Sequence, residues 1–256
     1  MDLGIAGRSA LVFGGSRGIG RAVAAALAAE GVNVAVCARK EWAARRVATE
    51  AAAAGRVKAA GYPLDAWDEP SATALMDRVM ADFGSIDILF GIARRTLPEN
   101  RSTLSWRTHL DNGFLRFKAA TEALLPGMRR RQWGRVLWMV PWPVPGPSAE
   151  RRFHSVTGAA LPAWLQSVAA EVVGENVTLN VLKPAPVRRT TAPGGGVPPR
   201  AGRHPVPADD TLAVSDVAAI AAFLLSEPAR ELYGRTIELG GAGAVSVRPD
   251  PRALGS

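Results

Sequence analysis

Tyrosine, lysine, histidine and cysteine are all scarce in this chain, and each scarcity closes off some chemistry. The single cysteine, Cys37, rules out an internal disulfide, and its setting in the apolar run Val34-Ala35-Val36-Cys37 marks it as a small core side chain. With three histidines and that one thiol, no metal site is expected. No apolar run approaches the roughly 18 residues that a membrane span needs. The opening Met1-Asp2-Leu3-Gly4 lacks the charged and then apolar stretch of a secretory leader, so a cytoplasmic protein with no membrane partner is expected. Only Lys40, Lys58, Lys118 and Lys183 among the 31 basic residues are lysines, so the net charge of +8 is an arginine charge. The arginines are scattered or lie in short clusters such as Arg129-Arg130-Arg131, with no aromatics between them. That pattern suits a solvated face or an anionic small ligand, and no nucleic-acid partner is expected.

What is present is apolar and rhythmic. At 256 residues and 48% hydrophobic, the chain suits one well-buried α/β core. Apolar strand-like runs alternate with Ala-rich helical stretches: a strand over 10–13, a helix over 20–30, a strand over 33–37 and a helix over 42–54. The rhythm continues with strands over 56–62, 86–90, 135–140, 178–182 and 236–239, and helices over 70–83, 105–131, 155–173 and 214–225. Such alternation builds βαβ units, and the expected fold class is α/β, a Rossmann-type doubly wound parallel sheet in a single domain spanning 1–256. Only 188–210, with its prolines and the run Gly194-Gly195-Gly196, breaks the rhythm, and it reads either as a substrate lid or as a segment without fixed structure.

The first strand runs straight into Gly14-Gly15-Ser16-Arg17-Gly18-Ile19-Gly20 and then a helix. Glycines at these spacings let a backbone turn tightly, approach a pyrophosphate and offer it a helix N-terminus. Gly-x-x-x-Gly-x-Gly after the first strand is the spacing of the short-chain dehydrogenase/reductase family, which the chain resembles along nearly its whole length. The resemblance extends to Asp65 after the third strand, Ser85-Ile86-Asp87-Ile88-Leu89 at the fourth, Gly134-Arg135-Val136-Leu137 at the fifth and Ala170-Glu171-Val172 closing the active-site helix. It continues through Asn180 and Pro184, Val214-Ser215-Asp216-Val217-Ala218, and Gly234-Arg235-Thr236-Ile237 with Gly240-Gly241. The resemblance implies a dinucleotide held by Gly14, Ser16, Arg17, Gly18, Ile19 and Gly20, with Asp65 at the adenine and Ala93 after the fourth strand. Charge selects the dinucleotide: the second strand ends Cys37-Ala38-Arg39-Lys40, where an NAD site would carry an acid, and Arg39 with Arg17 suits the 2′-phosphate of NADP(H).

The family's catalytic set is a different matter. Its members use a tyrosine as acid, a lysine four residues on that lowers its pKa and holds the nicotinamide ribose, a serine and an asparagine. No Tyr-x-x-x-Lys exists here, because the only tyrosines, Tyr62 and Tyr233, are followed four residues later by Ala66 and Ile237. Counting along the active-site helix puts His154 at the tyrosine and Gly158 at the lysine; Pro141 falls at the serine and Gly113 or Asn112 at the asparagine. Gly91-Ile92-Ala93-Arg94 replaces the usual Asn-Asn-Ala-Gly, and Pro184-Ala185 the usual Pro-Gly. His154 is either a proton donor working near neutrality or a filler of the vacated space. Arg94 either reaches an anion or faces solvent.

The run from Trp138 to Pro147 would wall the pocket with stiff apolar surface suited to a hydrophobic substrate, although Trp138, on a strand, is equally well explained as core. Three functions remain open: an NADPH-dependent reductase of a bulky apolar carbonyl or enone, a silent NADPH-binding subunit supporting an active homologue, and a non-redox cyclase or dehydratase. The resemblance also implies a homo-oligomer, dimer or tetramer, joined through the helices over 105–131 and 155–173.

Overall fold

The computed structural model describes residues 2–64, 69–92, 110–140, 152–185, 187 and 212–240. Seven strands, β1 (Ser9–Phe13), β2 (Asn33–Ala38), β3 (Ala59–Pro63), β4 (Ile88–Ile92), β5 (Gly134–Met139), β6 (Val177–Pro184) and β7 (Thr236–Leu239), form one sheet. All neighbours are parallel, in the order β3-β2-β1-β4-β5-β6-β7. The chain therefore winds outward from β1 to β3, returns to the middle at β4 and winds out the other way. The reversal between β1 and β4 is the point where such sheets open a crevice above their strand ends. This is the doubly wound single-domain fold expected from the sequence.

The described helices are α1 (Gly18–Ala29), α2 (Glu41–Gly55), α3 (Glu69–Phe83), α4 (Arg116–Arg130), α5 (Arg152–Glu171) and α6 (Val214–Leu224). Strands buried on both faces give continuous apolar runs, and alternate residues serve opposite layers. Ala10, Val12, Leu137, Met139 and Leu182 pack with α1, α2 and α6, whereas Leu11, Phe13, Val136, Trp138, Val140, Leu179 and Val181 pack with α3, α4 and α5. The helix expected over 105–131 holds a surprise: it enters α4 through a π-helical turn, Asp111–Leu115, and residues 105–109 lie outside the described part. Gly113 in that turn rests on α5, where a Cβ would sit 2.8 Å from Thr157 Cγ2.

The N-terminal edge of the sheet is pinned by a buried cation. Arg135, with no solvent exposure, donates from Nε to Ser226 O (3.0 Å), from Nη1 to the carbonyls of Gly134 and Asn176 (2.8 Å each), and from Nη2 to Asn176 Oδ1 (3.0 Å) and Glu227 Oε2 (2.9 Å). Its guanidinium also lies 4.4 Å from the ring centre of Trp133, whose Nε1 donates to the same Glu227 oxygen at 2.6 Å. Burial lowers the Arg135 pKa to about 10 against the pull of Glu227, so it stays cationic at neutral pH. Every guanidinium nitrogen has a partner, which a charge withdrawn from water requires. Truncation with Arg135→Ala would take the cation from Glu227 and a donor from three carbonyls, and we expect a loss of about 3–5 kcal/mol in urea unfolding at neutral pH. A loss below ~1 kcal/mol would contradict this account.

Candidate active site

The parallel sheet brings the C-terminal ends of all its strands to one edge, and the glycine loop lies there. Gly14 leaves β1 with φ +75, and the Gly14 and Gly15 amides donate to Cys37 O at 3.0 and 3.3 Å, tying the loop to β2. A Cβ on Gly15 would meet Val36 Cγ1 at 2.7 Å. One on Gly20 would run into the Gly14 carbonyl group, with Gly15 Cα at 3.0 Å. Gly20 thus lets the first turn of α1 lie directly on the loop, and Gly18, φ +54, makes the bend between them. Arg17 precedes α1 in extended conformation, and the first turn carries no acidic residue. Within that turn no carboxylate competes for the N-terminal amides, which is the electrostatic condition for an anion. Ser16 and Ile19 are half-buried in the same loop.

Arg39 and Lys40, both exposed, follow β2 one strand away, and the exposed Trp42 comes next with Lys40 Nζ 5.9 Å and the Arg46 guanidinium 5.8 Å from its ring centre. Neither Arg17 nor Arg39 forms an ion pair among the described residues. The loop and the two arginines named from the sequence therefore share one edge. Asp65, Ala93, Arg94, Pro141 and the rest of 141–151, and the 188–210 segment lie outside the described residues, and His154 is placed only as a backbone position in the first turn of α5.

Trp138 does not line the site. It is fully buried with its ring 4.4 Å from that of Phe117 and 6.1 Å from that of Phe13, and its Nε1 donates to Thr121 Oγ1 at 3.0 Å. The ring occupies the space above Gly91 of β4, where a Cβ would be 2.7 Å from Trp138 Cε3. Strand alternation explains the correction: Trp138 shares its face with Val136 and Val140 and turns into the layer under α4 and α5.

Neither tyrosine lies at the glycine loop. Tyr62, on the edge strand β3, is buried and donates to Asp82 Oδ2 at 2.5 Å; Tyr233 precedes β7, at the opposite edge of the sheet from the glycine loop. The helix α5 has no tyrosine and no lysine along its length. Two other residues of the site edge, Trp42 and Lys183, carry no motif and stand out only in three dimensions. The signals for them are an apolar ring at the exposed start of a helix and a cation inside an otherwise buried strand.

The family model described as enoyl-(acyl carrier protein) reductase matches residues 14–241. The chain belongs to the short-chain dehydrogenase/reductase family. Its relatives include the 3-oxoacyl-[acyl-carrier-protein] reductase FabG of Salmonella typhimurium, 28% identical over 239 residues, covering 92% of this chain and 96% of that protein. The FabG of Aquifex aeolicus is 28% identical over 245 residues, 94% of this chain and 99% of its own. Among solved structures, L-sorbose reductase from Gluconobacter frateurii, complexed with NADPH and L-sorbose, superposes with a TM-score of 0.80 at 24% identity, covering 94% of this chain and 98% of that one. YwfH, an NADPH-dependent reductase involved in bacilysin biosynthesis, gives 0.77 at 22% identity over 91% of this chain and 98% of its own. No helix among the described residues is long and apolar enough to cross a membrane.

The environment of Tyr62 fixes a pH dependence. Burial, and then the Asp82 carboxylate, push its phenol well above the ordinary tyrosine value. A phenol held protonated in the folded state after the unfolded chain has lost its proton, at about pH 10, makes stability fall as pH rises past that point. We expect Tyr62 to add about 1.4 kcal/mol per pH unit to that decline. Urea unfolding at stepped pH should find this share of the alkaline slope missing in Tyr62→Phe; an unchanged slope would argue against it.

Proposed function

We propose that the chain is an NADPH-dependent reductase of a bulky apolar carbonyl or enone compound that takes its proton from a donor other than tyrosine. The observation that carries this reading is the contact of Gly20 with Gly14: a Cβ at Gly20 would force α1 off the loop, so the glycine keeps the start of α1 on the loop, the arrangement that suits a pyrophosphate. The residues fit a dinucleotide, with Gly14, Ser16, Gly18, Ile19 and Gly20 around the pyrophosphate, and Arg17 and Arg39 at the 2′-phosphate. When bound, the nicotinamide supplies the hydride. The chain's own residues bind and orient it and supply the rest of the pocket, with Asp65 and Ala93 on the cofactor, and the apolar run after Trp138 and the 188–210 lid on the substrate. The names of the FabG relatives make a 3-oxoacyl group, a carbonyl on an apolar chain, the first substrate class to test.

His154 is our candidate proton donor, set on α5 at the position of the family's tyrosine. A second reading has its own support: with Tyr62 bonded to Asp82 and neither a tyrosine nor a lysine on α5, the chain would be a silent NADPH-binding subunit of an active homologue. We further propose a homo-oligomer joined through the faces of α4 and α5, where the apolar Val156 and, beside α4, Leu115 are exposed. The expected working place is the cytoplasm.

Titration calorimetry should give tighter binding of NADPH than of NADH, and Arg39→Ala should weaken NADPH by about tenfold, the equivalent of one charge-assisted hydrogen bond, while leaving NADH nearly unchanged. Equal affinities for the two dinucleotides would sink the NADP(H) assignment. In steady-state oxidation of NADPH with 3-oxoacyl thioesters, His154→Phe should lower kcat about 100-fold, in the range of general acid catalysis. Unaltered turnover removes the histidine from the reaction, and binding without turnover on any carbonyl favours the silent subunit.

A further inference from the structure

The position from which the family's lysine acts carries no side chain in this protein. Gly158 occupies that position on α5, and among the described residues a Cβ there would find only Val140 Cγ1 within 4 Å, at an ordinary 3.8 Å. The glycines Gly20, Gly55 and Gly113 are each held by contacts below 3.0 Å that forbid a side chain. Gly158 is not, and a glycine inside a helix costs about 1 kcal/mol relative to alanine. Close packing therefore does not explain it; what it does is leave room between α5 and the end of β5.

A cation stands on the neighbouring strand, on the same face. β6 reads Val-Thr-Leu-Asn-Val-Leu-Lys-Pro, with every residue buried except the half-buried Lys183. The register pairs Trp138 with Val181 and Met139 with Leu182, and the Val140 amide donates to Leu182 O at 2.9 Å, so Val140 and Lys183 are next in line and share a face. That face is the α5 side, since Trp138, Val140 and Val181 all pack in the layer beneath it. Adjacent strands lie about 4.8 Å apart, which sets the root of Lys183 beside the valine that Gly158 faces. On its other side Lys183 pairs in register with Glu238 of β7, although no ion pair joins the two. The other three lysines are spoken for: Lys58 Nζ donates to Asp82 O, Lys118 pairs with Glu122 at 2.7 Å and Lys40 lies over Trp42.

We propose that Lys183, reaching from β6 into the space left by Gly158, is the site cation that α5 lacks and holds the nicotinamide ribose of the bound dinucleotide. A small residue on the helix and a lysine on the strand are two halves of one exchange, in which the ammonium is kept and its point of attachment moves. A flexible four-carbon stem permits this, because lysine acts as a point charge with rotatable donors. The inference rests on the reading that the chain binds NADP(H).

The test measures NADPH and adenosine 2′,5′-bisphosphate, which lacks the nicotinamide half, side by side by calorimetry. Lys183→Met should weaken NADPH about tenfold, as loss of one charge-assisted hydrogen bond would, and leave the bisphosphate unchanged, which also reports an intact fold. Adding Gly158→Lys to that variant should restore NADPH affinity by returning the ammonium from the helix side. Equal weakening of both ligands, or none, overturns the proposal, as does failure of the double variant to recover. A lysine serving only Glu238 would lower Tm in Lys183→Met and Glu238→Gln alike without separating the two ligands. If the unsubstituted chain binds the bisphosphate but not NADPH, the proposal for Lys183 fails; if it binds neither, the reading on which it rests fails too.

Discussion

Seven strands running the same way impose the constraint from which the rest follows. Parallel strands need both faces covered, so every crossover carries a helix, and the sheet has a chemically distinct top and bottom. The top collects the strand ends, the amides of α1 and the cations Arg17, Arg39 and Lys183. The bottom collects strand starts and buries Arg135 among carbonyls and Glu227. Binding and stability are thereby assigned to opposite edges of one sheet.

Glycine sets how closely the layers approach, but for different reasons at different places. Gly14 and Gly18 are needed for backbone conformations with positive φ, while Gly20 and Gly91 are needed because something lies where a side chain would go: a carbonyl in one case, the Trp138 ring in the other. Through Gly91 the large indole sits against the sheet, and Thr121 completes its polar end from α4. The same ring that fills the core thus fixes the spacing between β4, β5 and α4 directly below the site.

The fold was legible because helical and strand periods alternate cleanly and the glycine loop marks the first crossover. The boundaries that slipped did so for local physical reasons. Strand β3 begins at Ala59 and not at Arg56, because Arg56 caps α2 in the left-handed conformation, a place usually marked by glycine. Strand β4 runs on to Ile92 because Gly91, which reads as a break, is a strand residue that makes room for Trp138. Trp138 left pocket wall and core equally open in a run of prolines and aromatics, and the sheet register decides for the core. The cofactor loop was readable as a motif, since its function lies in backbone shape. Lys183 was not, because its meaning depends on a residue of the preceding helix, Gly158, with which it forms no motif.

The buried guanidinium at the lower edge has a consequence for how such a protein changes over time. Its partners are mostly main-chain carbonyls, which persist whatever side chains the chain acquires elsewhere. An anchorage of that kind leaves the upper rim tolerant of drift: residues there can be exchanged, and a reaction lost or replaced, while the scaffold beneath them stays folded.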